Sequence, residues 1–88
     1  MRKTGIDIIS DERRRQQVGE GFDSARDSRY KDGELAKAAV VYASTGLDRT
    51  KCWPWSFDWW KPSPENRIKE LAKAGALIAA EIDRLQRL

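Results

Sequence analysis

The sequence predicts an all-α fold: a compact three-helix domain spanning residues 1–88, with a tryptophan-rich loop between the second and third helices. Three features carry that expectation. Apolar residues recur at alternating spacings of three and four from Ile68 to Leu85. An alanine-rich segment from Gly33 to Ser44 has a broad apolar face, and all four tryptophans are confined to Trp53–Trp60, an irregular stretch that runs into Lys61-Pro62-Ser63-Pro64.

The first helix is expected from about Ile6 to Val18, capped by Thr4, or by Ser10 if it starts later. Its apolar stripe is thin and Arg13-Arg14-Arg15-Gln16-Gln17 is wholly polar, so tertiary packing has to hold it. From Gly19 to Lys31 the composition is turn-like, with Phe22 and Tyr30 isolated among Gly, Asp and Ser. The second helix runs from about Gly33 to Ser44 with Asp32 as its cap and Gly46 just beyond its end. Leu35, Ala38, Ala39 and Tyr42 share one side of it, a face too broad to stay in water. The third helix is predicted to start at Ser63, a good N-cap, with Pro64 at the first helical position and Glu65 in the first turn. Ile68, Leu71, Gly75, Ile78, Ile82 and Leu85 then make one apolar face, read as the buried one, and Leu71 and Ile82 are expected to be core residues. Alanines beside Gly75 let the second helix pack closely against it.

Trp53, Trp55, Phe57, Trp59 and Trp60 fall within eight residues. Each such ring can remove roughly 150–250 Å² from water, so most are expected to staple the connection onto the helices. Alternation along an extended segment sends some of them outward. One or two rings are therefore expected to be exposed beside Arg49, Lys51 and Lys61, where they suit stacking on a planar base with cations on phosphate, or anchoring in a protein interface.

Composition narrows the classes of function. Hydrophobic residues are 40% and charged residues 35%, which suits a soluble globular chain. No apolar run is long enough to span a bilayer, and Asp7 and Asp11 interrupt any signal-peptide pattern, so a membrane or secreted role is not expected. The net charge of +3 is spread evenly, which argues against nucleic acid as a partner. A lone Cys52 makes no internal disulfide, in keeping with a cytosolic protein.

Signals for catalysis are sparse. The chain has no His, and Cys52 lacks a partner spaced for a dyad or a thiolate cluster. Asp23, Asp27, Asp32 and Glu34 lack calcium-loop spacing and are read as a solvated turn. Arg13, Arg14 and Arg15 point three ways around a helix and form no single patch. Arg26 and Arg29, with Asp27 and Tyr30, lie in a polar loop of the kind that often carries sites, although local turn stabilisation explains them too. No metal, no cofactor and no enzymatic activity are expected.

The segments Asp32-Gly33-Glu34-Leu35-Ala36-Lys37-Ala38-Ala39, Tyr42-Ala43, Trp53-Pro54-Trp55, Trp59-Trp60-Lys61-Pro62, Lys73-Ala74-Gly75-Ala76-Leu77-Ile78 and Glu81-Ile82-Asp83-Arg84-Leu85 resemble a family of small proteins of tailed phages and prophages. The resemblance covers most of the chain from Glu12 onward. It implies a phage origin and a compact helical fold, and brings no activity with it. A second similarity, carried by Gly21-Phe22 and Asp27, is to the ryanodine-receptor repeat domain. That pattern has Trp where this chain has Phe22, and a His-Pro pair that is missing here; it implies binding of nucleotide-derived ligands.

Together these readings lead to an expected role as a non-catalytic phage accessory protein that sequesters a small nucleotide-type defence signal in the host cytoplasm. The expected ligand-binding residues are Arg26, Asp27, Tyr30, Trp53, Trp55, Trp59, Trp60 and Lys61. The alternative is an inhibitor or adaptor that presents the exposed tryptophans to a host or phage protein. The Ala and Gly content of the third helix also permits a homo-oligomer.

Overall fold

Helices α1 (Gly5–Gly19), α2 (Ser24–Asp27), α3 (Glu34–Ala43) and α4 (Arg67–Gln86), with two short 3₁₀ turns at Arg49–Cys52 and Phe57–Trp59, make up the regular structure of the protein in the computed structural model, which describes residues 2–46 and 48–88. No strand occurs among the described residues. The three long helices are the predicted ones; α2 and the 3₁₀ turns lie in stretches whose turn-like composition hid them.

Local chemistry sets the helix starts. Thr4 caps α1 in a reciprocal box: its hydroxyl accepts from the Asp7 backbone N–H at 3.2 Å, and the Asp7 carboxylate accepts from the Thr4 N–H at 3.1 Å. The expected Asp32 cap does not form. Gly33 takes the cap position of α3 at φ +81°, a conformation that suits glycine, and the Glu34 carboxylate accepts from the Asp32 N–H at 2.7 Å. The expected start of α4 at Ser63 is also corrected, to Asn66, whose side chain accepts from the Lys69 N–H at 3.2 Å. Ser63 instead opens a turn closed by a bond from the Asn66 N–H to the Ser63 carbonyl at 2.8 Å. Ser63 is buried, and its N–H goes to the Glu70 side chain at 3.0 Å, so it has a tertiary partner where a cap would have a helical one.

The core is the contact between α3 and α4. Leu35, Ala38, Ala39 and Tyr42 meet Ala74, Leu77 and Ala80, and Tyr30, Trp53, Trp55 and Trp60 pack against that cluster from the side. Helix α1 lies across α4 at Gly75, where a Cβ atom would come within 2.6 Å of Ile9 Cδ1. The Arg13 guanidinium, reaching Asp27 at 3.5 Å and Asp83 at 3.3 Å, fastens α1 to α2 and α4.

The face of α4 read as buried is not the buried one. Leu71 is 46% exposed and Ile82 51%, and Ile68, Ile78 and Leu85 are exposed as well. One residue turns a helix by about 100°, so the step from Leu77 to Ile78 separates the inward face from this stripe. The inward face is Glu70, Lys73, Ala74, Leu77, Ala80 and Arg84. Small alanines let α3 come close, and the three charged side chains are tolerated there because each has hydrogen-bond partners.

Glu70 is the most heavily bonded of them. It is 2% exposed; Arg49 reaches both of its oxygens at 3.3 and 2.8 Å, and Arg67 adds a bond at 3.1 Å. The same two guanidiniums donate to the carbonyls of Tyr42, Ala43 and Ser44 at the end of α3. The Arg49 hydrogen bond, the largest cause, and further bonds from Ser63 and Arg67 hold the Glu70 carboxyl down at about 2, against an ordinary value of 4.5.

This packing makes two outcomes measurable. Leu77→Ala should cost about 2–5 kcal/mol in urea melts, and Leu71→Ala less than about 1 kcal/mol. A folded-state value depressed below the unfolded one stabilises fully above the unfolded value, so the part of the stability carried by Glu70 should be intact above pH 4.5 and drain away as pH falls toward about 2. Glu70→Gln should flatten that limb of the acid titration.

Candidate functional site

The tryptophan segment leaves the 3₁₀ turn at Arg49–Cys52 and returns across the α3–α4 core. Its rings form a continuous series of tilted and edge-on contacts: Tyr30 to Trp55 at 5.0 Å, Trp55 to Trp53 at 5.4 Å, Trp53 to Trp60 at 5.2 Å and Trp60 to Tyr42 at 4.8 Å. Trp53 Nε1 donates to the Ser56 carbonyl at 3.0 Å. At the end of the segment the Lys61 N–H donates to the Tyr42 hydroxyl at 3.1 Å, and Lys73 Nζ donates to the Lys61 carbonyl at 2.8 Å. Phe57 (62% exposed) and Trp59 (63% exposed) point outward; they share the parity of the inward Trp53 and Trp55, so the 3₁₀ turn at Phe57–Trp59 turns them out and the expected alternation does not.

This segment, the end of α1 and the start of α2 enclose a cleft. Its inner recess, of about 90 Å³, is walled by Phe22, Tyr42, Trp53, Trp55 and Trp59 and by the polar side chains of Arg15, Gln16, Glu20, Arg26, Lys61 and Lys73. An outer part of about 460 Å³ shares Glu20, Phe22, Arg26, Trp55 and Trp59 with it and adds Arg29, Tyr30 and Ser56. Together they have the size of small-molecule sites, which hold roughly 300–1,000 Å³, with a lining of aromatic and charged side chains.

Four cations and one carboxylate line the inner recess, and they are not equivalent. Arg15 is paired to Glu12 at 2.6 Å and Glu20 at 3.3 Å. The Arg26 guanidinium lies 3.6 Å from the Phe22 ring centroid and 5.0 Å from that of Tyr30, and it bonds Asp27 at 3.2 Å. Lys61 is exposed. Lys73 is only 8% exposed, and among the described residues no carboxylate lies within salt-bridge distance of it. Its ammonium has the Lys61 carbonyl and, at 5.4 Å, the Tyr42 ring. Burial pushes Lys73 below the usual lysine range, and nearby Lys69 adds to the effect. Two further groups of the wall are buried without partners: Gln16 Oε1, an acceptor, and Trp55 Nε1, a donor.

Of the residues singled out in the sequence, Arg26, Trp53, Trp55, Trp59 and Lys61 line the inner recess, and Tyr30 lines the outer part. Asp27 and Trp60 line neither. Asp27 is fully buried, its carboxyl pushed up by burial and partly countered by Arg13 and Arg26, and it orients those two guanidiniums. Trp60 packs between Tyr42 and Trp53 with the Arg49 guanidinium 4.9 Å from its ring. No sequence signal marks Arg15, Gln16, Glu20 or Lys73 as wall residues, because each sits far along the chain from the tryptophans. Phe22 was visible as an isolated aromatic, and Tyr42 only as part of the apolar face of the second helix. Among the described residues no three Asp, Glu, His or Cys side chains gather as a metal site would require. Asp23 caps α2, Asp27 serves Arg13 and Arg26, and Glu34 serves the Asp32 N–H.

Comparison with protein-family models, with curated proteins and with solved structures finds no match. No described helix is long and apolar enough to cross a membrane.

The rings divide into structural and available ones, and the division can be measured. Trp53→Ala should cost about 3 kcal/mol because it opens the ring series over the core, whereas Trp59→Ala should change stability by no more than about 0.5 kcal/mol. Chemical denaturation of the two variants checks this.

Proposed function

We propose that this protein binds a small planar anion of the nucleotide class in the aromatic cleft and releases it unchanged. The observation that carries the reading is Lys73: a buried ammonium without a carboxylate partner, at the floor of an aromatic recess. Burying an unpaired charge is costly, and an anionic group placed against Lys73 Nζ offsets that cost. Trp59 supplies an exposed ring face for stacking on a base, Lys61 and Arg26 extend the positive field, and Gln16 and Trp55 offer an acceptor and a donor to polar ring edges. The wall has no nucleophile–base pair of the sort that catalysis requires, which favours sequestration over turnover. The role proposed with it, an accessory factor that withdraws a nucleotide-type signal from a host defence response, rests on this cleft, since the resemblance to tailed-phage proteins brings no activity of its own.

A second reading, an adaptor that anchors on another protein, is favoured by one observation: Phe57 and Trp59 are exposed together on the rim. Tryptophan fluorescence separates the two. On the first reading, a panel of mononucleotides, cyclic nucleotides and dinucleotides contains a compound that quenches saturably and raises the melting temperature, and Trp59→Ala and Lys73→Met each weaken it by about tenfold or more. The ligand should be recovered intact after the protein is denatured. If the whole panel gives neither quenching nor a thermal shift, the adaptor reading takes its place.

The pH dependence has a definite sign. An anion prefers Lys73 protonated, so affinity should be full below the lowered pKa and fall as pH rises through it, earlier than the ordinary lysine value of 10.5. Lys73→Arg, which stays charged, should abolish that fall in a fluorescence titration across alkaline pH.

A further inference from the structure

We infer that the exposed stripe of α4 is the seam of a two-fold dimer, and that its occupant is the antiparallel α4 of a second copy of this chain. The stripe runs Ile68, Leu71, Gly75, Ile78, Ile82, Leu85, a strict alternation of three and four that is the spacing of a coiled-coil seam. It is separate from the face that α4 gives to α3, and apart from Gly75, which Ile9 of α1 covers, its residues stand exposed in the single chain. Ile9 fills the notch at Gly75 and keeps the strip continuous.

The size of the strip fits that occupant. Five large aliphatic side chains, each roughly half exposed, leave about 450 Å² of apolar surface in one band, at the upper range of what monomers carry as a single patch. Two such bands bury about 900 Å² together, the size of weak, concentration-dependent interfaces. An isolated helix with so short a seam would be marginal. Here α4 is already held in helical form by α3 and α1, so association does not carry the cost of forming it.

Shape specifies the antiparallel arrangement. At the start of α4, Ile68 and Leu71 form an apolar groove of about 300 Å³ with Gly5, Ile8 and Ile9 of α1 as its other wall. Toward the end of the helix Ile82 and Leu85 stand half exposed. A two-fold axis between Gly75 and Ile78 sets Leu71 opposite Ile82 and Ile68 opposite Leu85, so that each copy inserts its projecting half into the other's groove, twice. A parallel pairing sets groove against groove.

The test is sedimentation of the full-length chain with its variants over a range of concentration, alongside circular dichroism. Wild type should sediment as a dimer. Ile82→Glu and Leu71→Lys, both at exposed positions, should each keep the helical signal and raise the dissociation constant on the order of 100-fold. Combining the two in one chain places Lys opposite Glu twice across the axis, and should restore much of the lost association, in a salt-sensitive way. A wild type that stays monomeric at the highest concentration, single variants that dimerise like wild type, or a double variant as monomeric as the singles would each overturn the arrangement.

Discussion

The path of the chain between α3 and α4 depends on one buried carboxylate. Glu70 has almost no access to water, and a carboxylate in that position is tolerated only when its oxygens are fully occupied. Arg49 and Arg67 and the Ser63 N–H provide those bonds, and they flank the tryptophan segment on both sides. The guanidiniums in turn satisfy the last carbonyls of α3, groups that every helix leaves open at its end. One side chain of α4 thus fixes where α3 stops and where the loop departs and returns. Removing any partner strands a charge in the interior, so the cluster acts as a unit and its members should not be treated as additive.

The helices were legible because their periodicity is long and their flanks carry caps and glycines. Which side of α4 faces inward was not legible. A hydrophobic stripe shows that a helix has an apolar side; it does not say whether this chain or another molecule covers it. In α4 the covered face and the exposed stripe lie side by side, and hydropathy favoured Ile68, Leu71, Ile78 and Ile82 over the smaller set of Ala74, Leu77 and Ala80. The inward charges Glu70, Lys73 and Arg84 strengthened the misreading, since a pattern of hydrophobicity cannot register that a partner distant in sequence satisfies a charge. The same blindness shifted the start of α4. Ser63 has the composition of an N-cap, but its N–H belongs to Glu70, and the cap passes to Asn66.

The candidate site was half visible for a related reason. Tryptophans clustered in sequence stay clustered in space, so the spacing of Trp53, Trp55 and Trp59 alone was enough to mark one wall. The opposite wall comes from Gln16, Glu20 and Phe22 at the end of α1 and just after it, and the floor from Lys73 on α4. Nothing local joins those residues to the tryptophans. Trp60 and Asp27 had the right composition for a site and serve as supports instead: the first closes the ring series against Tyr42, the second aims two guanidiniums.

Lys73 belongs both to the fold and to the cleft. As a structural group it ties the loop down, donating to the Lys61 carbonyl beside the bond from Lys61 to Tyr42. As a charge it is a liability, since burial disfavours its protonated form and Glu12 and Glu20 offset that only from beyond salt-bridge distance. A neutral side chain of similar length would fill the space without that cost but would lose the hydrogen bond. On the proposed function, an anion in the cleft would offset the remaining cost. Linkage then ties ligand and fold: an anion that binds only the folded state stabilises it in proportion to the logarithm of its concentration above the dissociation constant. The loop that shapes the cleft would be held most firmly when the cleft is full.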